Sequence, residues 1–161
     1  MWSHHIKLNQ MKLTTDKNAE IANKLNFRQS LSKIEDVMHR HPSAITGDDF
    51  EAKNPTKSTF VGGCYVREIF MPAGQIITTK IHKKDHPFFV LSGKIIVISE
   101  EGKKEIKGPY NGITIAGTKR LINVIEDCVF VTVHATDKLT IEEVTKEVIA
   151  EDFSDPLVAL K

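Results

Sequence analysis

Apolar residues recur at helical spacing in the first third of the chain, at strand spacing through the middle, and at helical spacing again near the end. Ala19, Ile21, Ala22 and Leu25 follow Thr15-Asp16, a pair suited to capping a helix. Ser32-Lys-Ile-Glu35 has capping-box spacing and opens a second helical stretch, with Leu31, Ile34, Val37 and Met38 on one face. His41-Pro42 predicts the end of that helix, because a residue before proline disfavours the α region. From 41 to 59 Pro42, Gly47, Asn54 and Pro55 interrupt the chain and no period survives, which predicts a linker.

From Phe60 to His134 the pattern is that of short strands between turns. Runs are predicted at Tyr65–Met71, Gln75–His82, Phe88–Leu91, Lys94–Ser99, Ile113–Ile115, Leu121–Ile125 and Cys128–His134, with turns at Ser92-Gly93 and Glu100–Lys104. This spacing predicts an antiparallel sandwich or barrel rather than a parallel sheet. Thr140-Ile-Glu-Glu143 is another capping box, ahead of Ile141, Val144 and Val148 on one helical face. The expected organisation is a helical arm and linker (1–59), a β-barrel (60–136), and a C-terminal helix and tail (137–161).

At 161 residues, 40% apolar and 27% charged, the chain is the size and composition of one globular domain. A net charge of +1 gives no basic field for nucleic acid. Cys64 and Cys128 lack metal-site or redox-motif spacing and predict reduced thiols, although a lone disulfide stays open. No run approaches a membrane span, and Met1-Trp-Ser-His-His5 lacks the apolar core of a signal peptide. The expectation is a soluble, cytoplasmic protein.

The stretch that carries chemistry runs from Gly74 to Gly93. It holds Lys80, His82 and His86 at the spacing glycine, five residues, x, one residue, His, three residues, His, six residues, glycine. It resembles the first motif of the cupin superfamily, with Lys80 where that motif has its first histidine and His86 where it has glutamate. Ile115-Ala-Gly117-Thr-Lys-Arg120 resembles the second cupin motif, with Arg120 at the histidine position. The resemblance covers about residues 60 to 136. More loosely, Tyr65-Val-Arg-Glu68, Lys80-Ile-His82, Gly117-Thr-Lys-Arg120 and Val133-His-Ala-Thr-Asp137 resemble cupin-like proteins encoded by tailed bacteriophages. The resemblance implies a single jelly-roll-like barrel whose lumen is the site. It also implies a divalent metal held by three histidines and a glutamate, and sheet-to-sheet pairing into a homodimer.

The substitutions change that chemistry. On a continuous strand Lys80 and His82 share a face. Lysine and arginine are protonated at neutral pH and do not ligate such ions, so two ligand positions are lost. His82 and His86 remain, and His134, if it faces inward, completes a three-histidine site suited to zinc, nickel or iron. Lys80, Arg120 and Arg67 would gather cationic charge needing an opposite charge, from Glu68 or from a bound carboxylate, phosphate or sugar acid. Glu68 or Glu126 could equally be an ion-pair partner for Arg120. Tyr65, Phe88 and Phe130 offer stacking faces, and Tyr65 a proton. The favoured expectation is a pocket that binds a small anionic molecule without the standard metal set. A metal-dependent enzyme on His82, His86 and His134 is the alternative, and a structural module of a virion or oligomer a third.

Overall fold

The computed structural model describes residues 3–160, with side chains from residue 16 onward. The segment Met1-Trp2 and the side chains of His4, His5 and Thr15 lie outside the described residues. The architecture is mainly β and antiparallel, with helices at both ends, as the sequence predicts. In chain order the elements are α1 (Ser3–Arg40), α2 (Gly47–Lys53), β1 (Thr56–Val61), β2 (Cys64–Met71), β3 (Ile76–Thr78), β4 (Ile81–His82), β5 (His86–Ser99), β6 (Gly102–Lys107), β7 (Tyr110–Thr114), β8 (Leu121–Ala135), α3 (Ile141–Val148) and β9 (Ile149–Ala150).

Two long strands organise the sheet. β5 and β8 pair with each other, and each carries two shorter strands along its other edge. β2 and β3 line β8, β6 and β7 line β5, and β1 extends the sheet beyond β2. The sequence divides each long strand in two, and the reason is a bulge. The β5–β8 register shifts between Val90 and Ile95. Buried positions on β5 then change parity, from His86, Phe88 and Val90 to Ile95 and Val97. One extra residue inverts the facing of all that follow, so the strand bends at Ser92-Gly93 where a reversal is predicted. The bend wraps the sheet around one apolar cluster that includes Ile69, Met71, Phe88, Val90, Ile95, Ile122, Val124 and Cys128.

The flanks also differ from expectation. α1 is one continuous helix, so neither Thr15-Asp16 nor Ser32 begins a new one; His41-Pro42 does follow its last residue. Ile34 and Val37 are exposed, and the face that meets the sheet is Ile21, Arg28, Leu31, Glu35 and Met38. Polar anchors explain the shift. Arg28 bonds Glu100 and the carbonyls of Gly117 and Val158, while Glu35 bonds Thr78 and Lys119. The linker holds the short helix α2, closed by Asn54, whose fully buried amide bonds Gln75 and the Phe70 carbonyl. At the C-terminus the Thr140 hydroxyl caps α3 by accepting the Glu143 N–H, and Val144 and Val148 are buried. Both cysteines are free thiols, at opposite ends of the β2–β8 ladder. No helix among the described residues is long and apolar enough to cross a membrane.

Candidate metal and ligand site

The interior of the roll is built in rows, because cross-strand partners on one face stand side by side. In the uppermost row Tyr65 of β2 pairs with His134 of β8, and His86 of β5 with Thr114 of β7. In the next row, two residues along each strand, Arg67 pairs with Thr132, Thr132 with Phe88, and Phe88 with Gly112. A third row holds Ile69, Phe130, Val90 and Tyr110. The polarity is graded along the lumen, with imidazoles in the uppermost row and apolar groups in the third.

His82 reaches this space from a different element. β3 pairs with β8, whereas β4 pairs with β9, so the chain changes partner between Thr78 and Ile81. The His82 carbonyl accepts the Gly117 N–H, and the next residue, Lys83, donates its N–H to the Val148 carbonyl at the end of α3. The C-terminal helix and its short strand therefore fix His82.

His82, His86 and His134 offer ring nitrogens that all lie within 4.8 Å of one another. Their ring centroids are 4.2 Å apart for His82 and His86, 4.3 Å for His86 and His134, and 5.1 Å for His82 and His134. His86 and His134 are buried and His82 is half-buried. Burial, then the neighbouring imidazoles, push His82 down to about 3. Burial and the His86 ring push His134 to about 4, and burial also lowers His86. All three are thus neutral at physiological pH, the form that ligates a metal. The His86 Nδ1 lies 3.2 Å from the Lys84 carbonyl, which can only accept, so the ring hydrogen sits on Nδ1 and Nε2 keeps its lone pair. A carbonyl behind one imidazole nitrogen is the arrangement that orients histidine ligands. The donor set therefore fits a divalent transition ion with open positions.

The cations are split. Lys80 is exposed, in the two-residue gap between β3 and β4, so it does not join His82 in the lumen. Its parity with His82 does not hold because the strand is interrupted there: Thr79 exchanges hydrogen bonds with Arg120, its N–H meeting the Arg120 carbonyl and its hydroxyl the Arg120 N–H. Arg120 and Arg67 are half-buried, with guanidinium pKa values lowered by burial, and both charges act on His82. The Arg120 side chain donates to Thr114 at 2.8 Å, the residue paired with His86, and lies 5.0 Å over the Phe88 ring. Among the described residues neither arginine has an ion-pair partner, so neither Glu68 nor Glu126 neutralises Arg120; Glu126 stands opposite Lys94 instead. Tyr65 is buried with its ring stacked beside His134, and its hydroxyl is 3.0 Å from that of Ser58.

Next to the cluster lies a cavity of about 290 Å³, lined by Phe88, Tyr110, Ile113, Arg120, Ile122 and Phe130, with Glu101, Lys103 and Lys104 also on its wall. Phe88 and Phe130 stack at 5.3 Å. Tyr110 and Glu101 are the functional candidates that sequence reasoning missed. Tyr110 lies in a stretch that reads as turn, and Glu101 in a hairpin that reads as solvent.

Fold and cluster together define a class: a rolled antiparallel β protein of jelly-roll type with three imidazoles converging inside it. No protein-family model matches the chain, and no curated protein matches it. Among solved structures it is similar to an RmlC-like cupin from Methanocaldococcus jannaschii, at 15% identity and TM-score 0.44 over 60% of this chain and 85% of that one. It is similar to ectoine synthase from P. lautus, at 14% identity and TM-score 0.48 over 57% and 70%. A third is the DMSP lyase of Ruegeria pomeroyi, at 15% identity and TM-score 0.48 over 59% and 53%. Likeness at this level carries no functional information.

Proposed function

We propose that the protein binds a divalent transition metal, zinc, nickel or iron, on His82, His86 and His134, and holds a small anionic molecule beside it with Arg67 and Arg120. The observation that carries this reading is the inward, mutually close placement of three neutral imidazoles from three separate strands. It reverses the balance struck on sequence alone, where Lys80 and Arg120 outweigh the histidines. Lys80 is exposed, and His134 supplies the third donor.

Charge balance links the two halves of the proposal. A dication with two half-buried guanidiniums nearby leaves the lumen positive: Glu101 acts on Arg120 through space, but its single charge does not balance them. A bound anion supplies the missing charge. When bound, an ion with open positions acts as a Lewis acid on an oxygen of its neighbour. The chain's own part is to orient the anion with the Arg120 fork and to exclude water with the apolar third row.

The test is metal analysis of protein purified without a metal-affinity tag or chelator. About one ion per chain is expected from a three-imidazole site. His86→Ala should abolish it, and Arg120→Ala should leave it in place. Protein that arrives metal-free and takes up none of zinc, nickel or ferrous iron on titration would return the anion-only pocket to first place.

A further inference from the structure

Each of the three histidines is held, directly or through one neighbour, by α3 and β9. His82 lies on β4, which is two residues long and pairs with no strand but β9 among the described residues: Ile81 meets Ala150 and His82 meets Ile149. Lys83 extends the contact, with its N–H on the Val148 carbonyl and its ammonium on the Lys146 carbonyl. Lys84, whose carbonyl faces the His86 Nδ1, is ion-paired through its side chain with Glu147, and Glu147 also accepts the Thr136 hydroxyl. Tyr65, stacked beside His134, is buried in one cluster with Val144 and Val148 of α3.

The same segment is lightly attached. Val144 and Val148 form a small cluster with Tyr65, and Ala150 another with Ile81 and Val158, both separate from the apolar cluster inside the roll. The two ends are pinned, since Thr136 donates its N–H to the Gly63 carbonyl and Arg28 holds the Val158 carbonyl. The connection 136–140 belongs to no helix or strand. The stretch between the pins can therefore lift without opening the main core, and units attached in this way lie at the low-stability end of a fold. Lifting removes the strand partner of β4, while His86 and His134 stay on the long strands β5 and β8.

We propose that α3 and β9 form a strap that gates the metal. Docked, the strap holds His82 against the other two imidazoles; lifted, it lets His82 withdraw and the ion leave. Metal binding and strap docking are then one equilibrium. The inference rests on the three-histidine reading above and adds how that site is loaded and emptied. An ion that binds only the docked form suppresses opening in proportion to its free concentration over its dissociation constant.

Amide hydrogen exchange of the full, chelator-treated chain, with and without zinc, is the test. With free zinc at about ten times its dissociation constant, exchange in α3 and β9 should slow about tenfold. The α2 helix, which buries no residue, should exchange as before. Val144→Asn combined with Val148→Asn sets neutral polar groups in the Tyr65 cluster. This double variant should speed exchange in α3, weaken zinc about tenfold and leave the β5–β8 amides protected, because the competent form is then a minority. Zinc that binds the parent with no slowing in α3 and β9, or with equal slowing in α2, overturns the strap alone. So does a freed α3 with unchanged zinc affinity. A parent that takes up no zinc overturns both the strap and the three-histidine reading. The parent measurement decides by itself if the double variant fails to fold.

Discussion

Gly93 shows how one residue sets the interior. It has a φ of +85°, and a Cβ there would lie 2.1 Å from the Asp127 carbonyl oxygen. Only glycine lets β5 and β8 approach at the bulge, and the bulge switches the buried set from His86, Phe88 and Val90 to Ile95 and Val97. Gly93→Ala meets both the left-handed backbone and the collision, and is expected to cost roughly 3 kcal/mol or more. Gly62→Ala is the control: its φ is +57° and nothing lies within 4 Å, so only the backbone term of about 1 kcal/mol remains. Urea denaturation of the two variants reads the difference, and equal midpoints would mean that the close approach does not matter. At this scale the sequence was informative. The Gly74–Gly93 stretch points to His82 and His86 through its resemblance to a cupin motif, and parity along Cys128–His134 allows His134 to face inward. Lys80 was misplaced because side-chain alternation holds only along an unbroken strand, and β3 and β4 belong to different pairings.

Elements were legible where periodicity was clean and illegible where polar contacts decided. The β character of the middle of the chain, the stop at His41-Pro42 and the Thr140 cap follow from local rules, whereas β1 starts at Thr56, inside the stretch that reads as linker. The docking face of α1 does not follow from them, because it is set by Arg28 and Glu35 and not by the apolar residues Ile34 and Val37. Arg28 is 7% exposed and fastens α1 to the Glu100 turn, to the Val158 carbonyl and to the Gly117 loop that leads to Arg120, with its guanidinium 4.1 Å over the Phe153 ring. Arg28→Met strands Glu100 in a site where its side chain is only 13% exposed, and breaking such a pair costs about 3 kcal/mol. Hydrogen exchange should then speed up across residues 28–40 and the Gly117–Arg120 loop while the β5–β8 amides stay protected. Unchanged exchange in α1 would mean that Leu31 and Met38 suffice to hold it.

The whole molecule carries an acid sensitivity that follows from its histidines. His82 and His134 have folded pKa values of about 3 and about 4, below the ordinary 6.5, so between those limits the unfolded chain binds more protons than the folded one. Stability is therefore fully present above pH 6.5 and falls as the pH drops through the folded values. One such ring contributes roughly 2 kcal/mol of loss by pH 4.5, and because the imidazoles depress one another the losses do not simply add. Carboxylates with lowered pKa, such as Glu35 and Glu147, act with the same sign but only below about 4.5, since their unfolded value lies there. The window from 6.5 to 4.5 thus belongs to the histidines. Bound metal should steepen the fall, because protons compete with it for the same nitrogens. The measurement is the urea midpoint against pH for chelator-treated protein and for His82→Gln. The substitution should flatten the curve between 6.5 and 4.5 and leave stability near pH 7.5 close to that of the parent. An undiminished acid slope in His82→Gln would mean that burial of the His82 ring contributes nothing to the acid sensitivity.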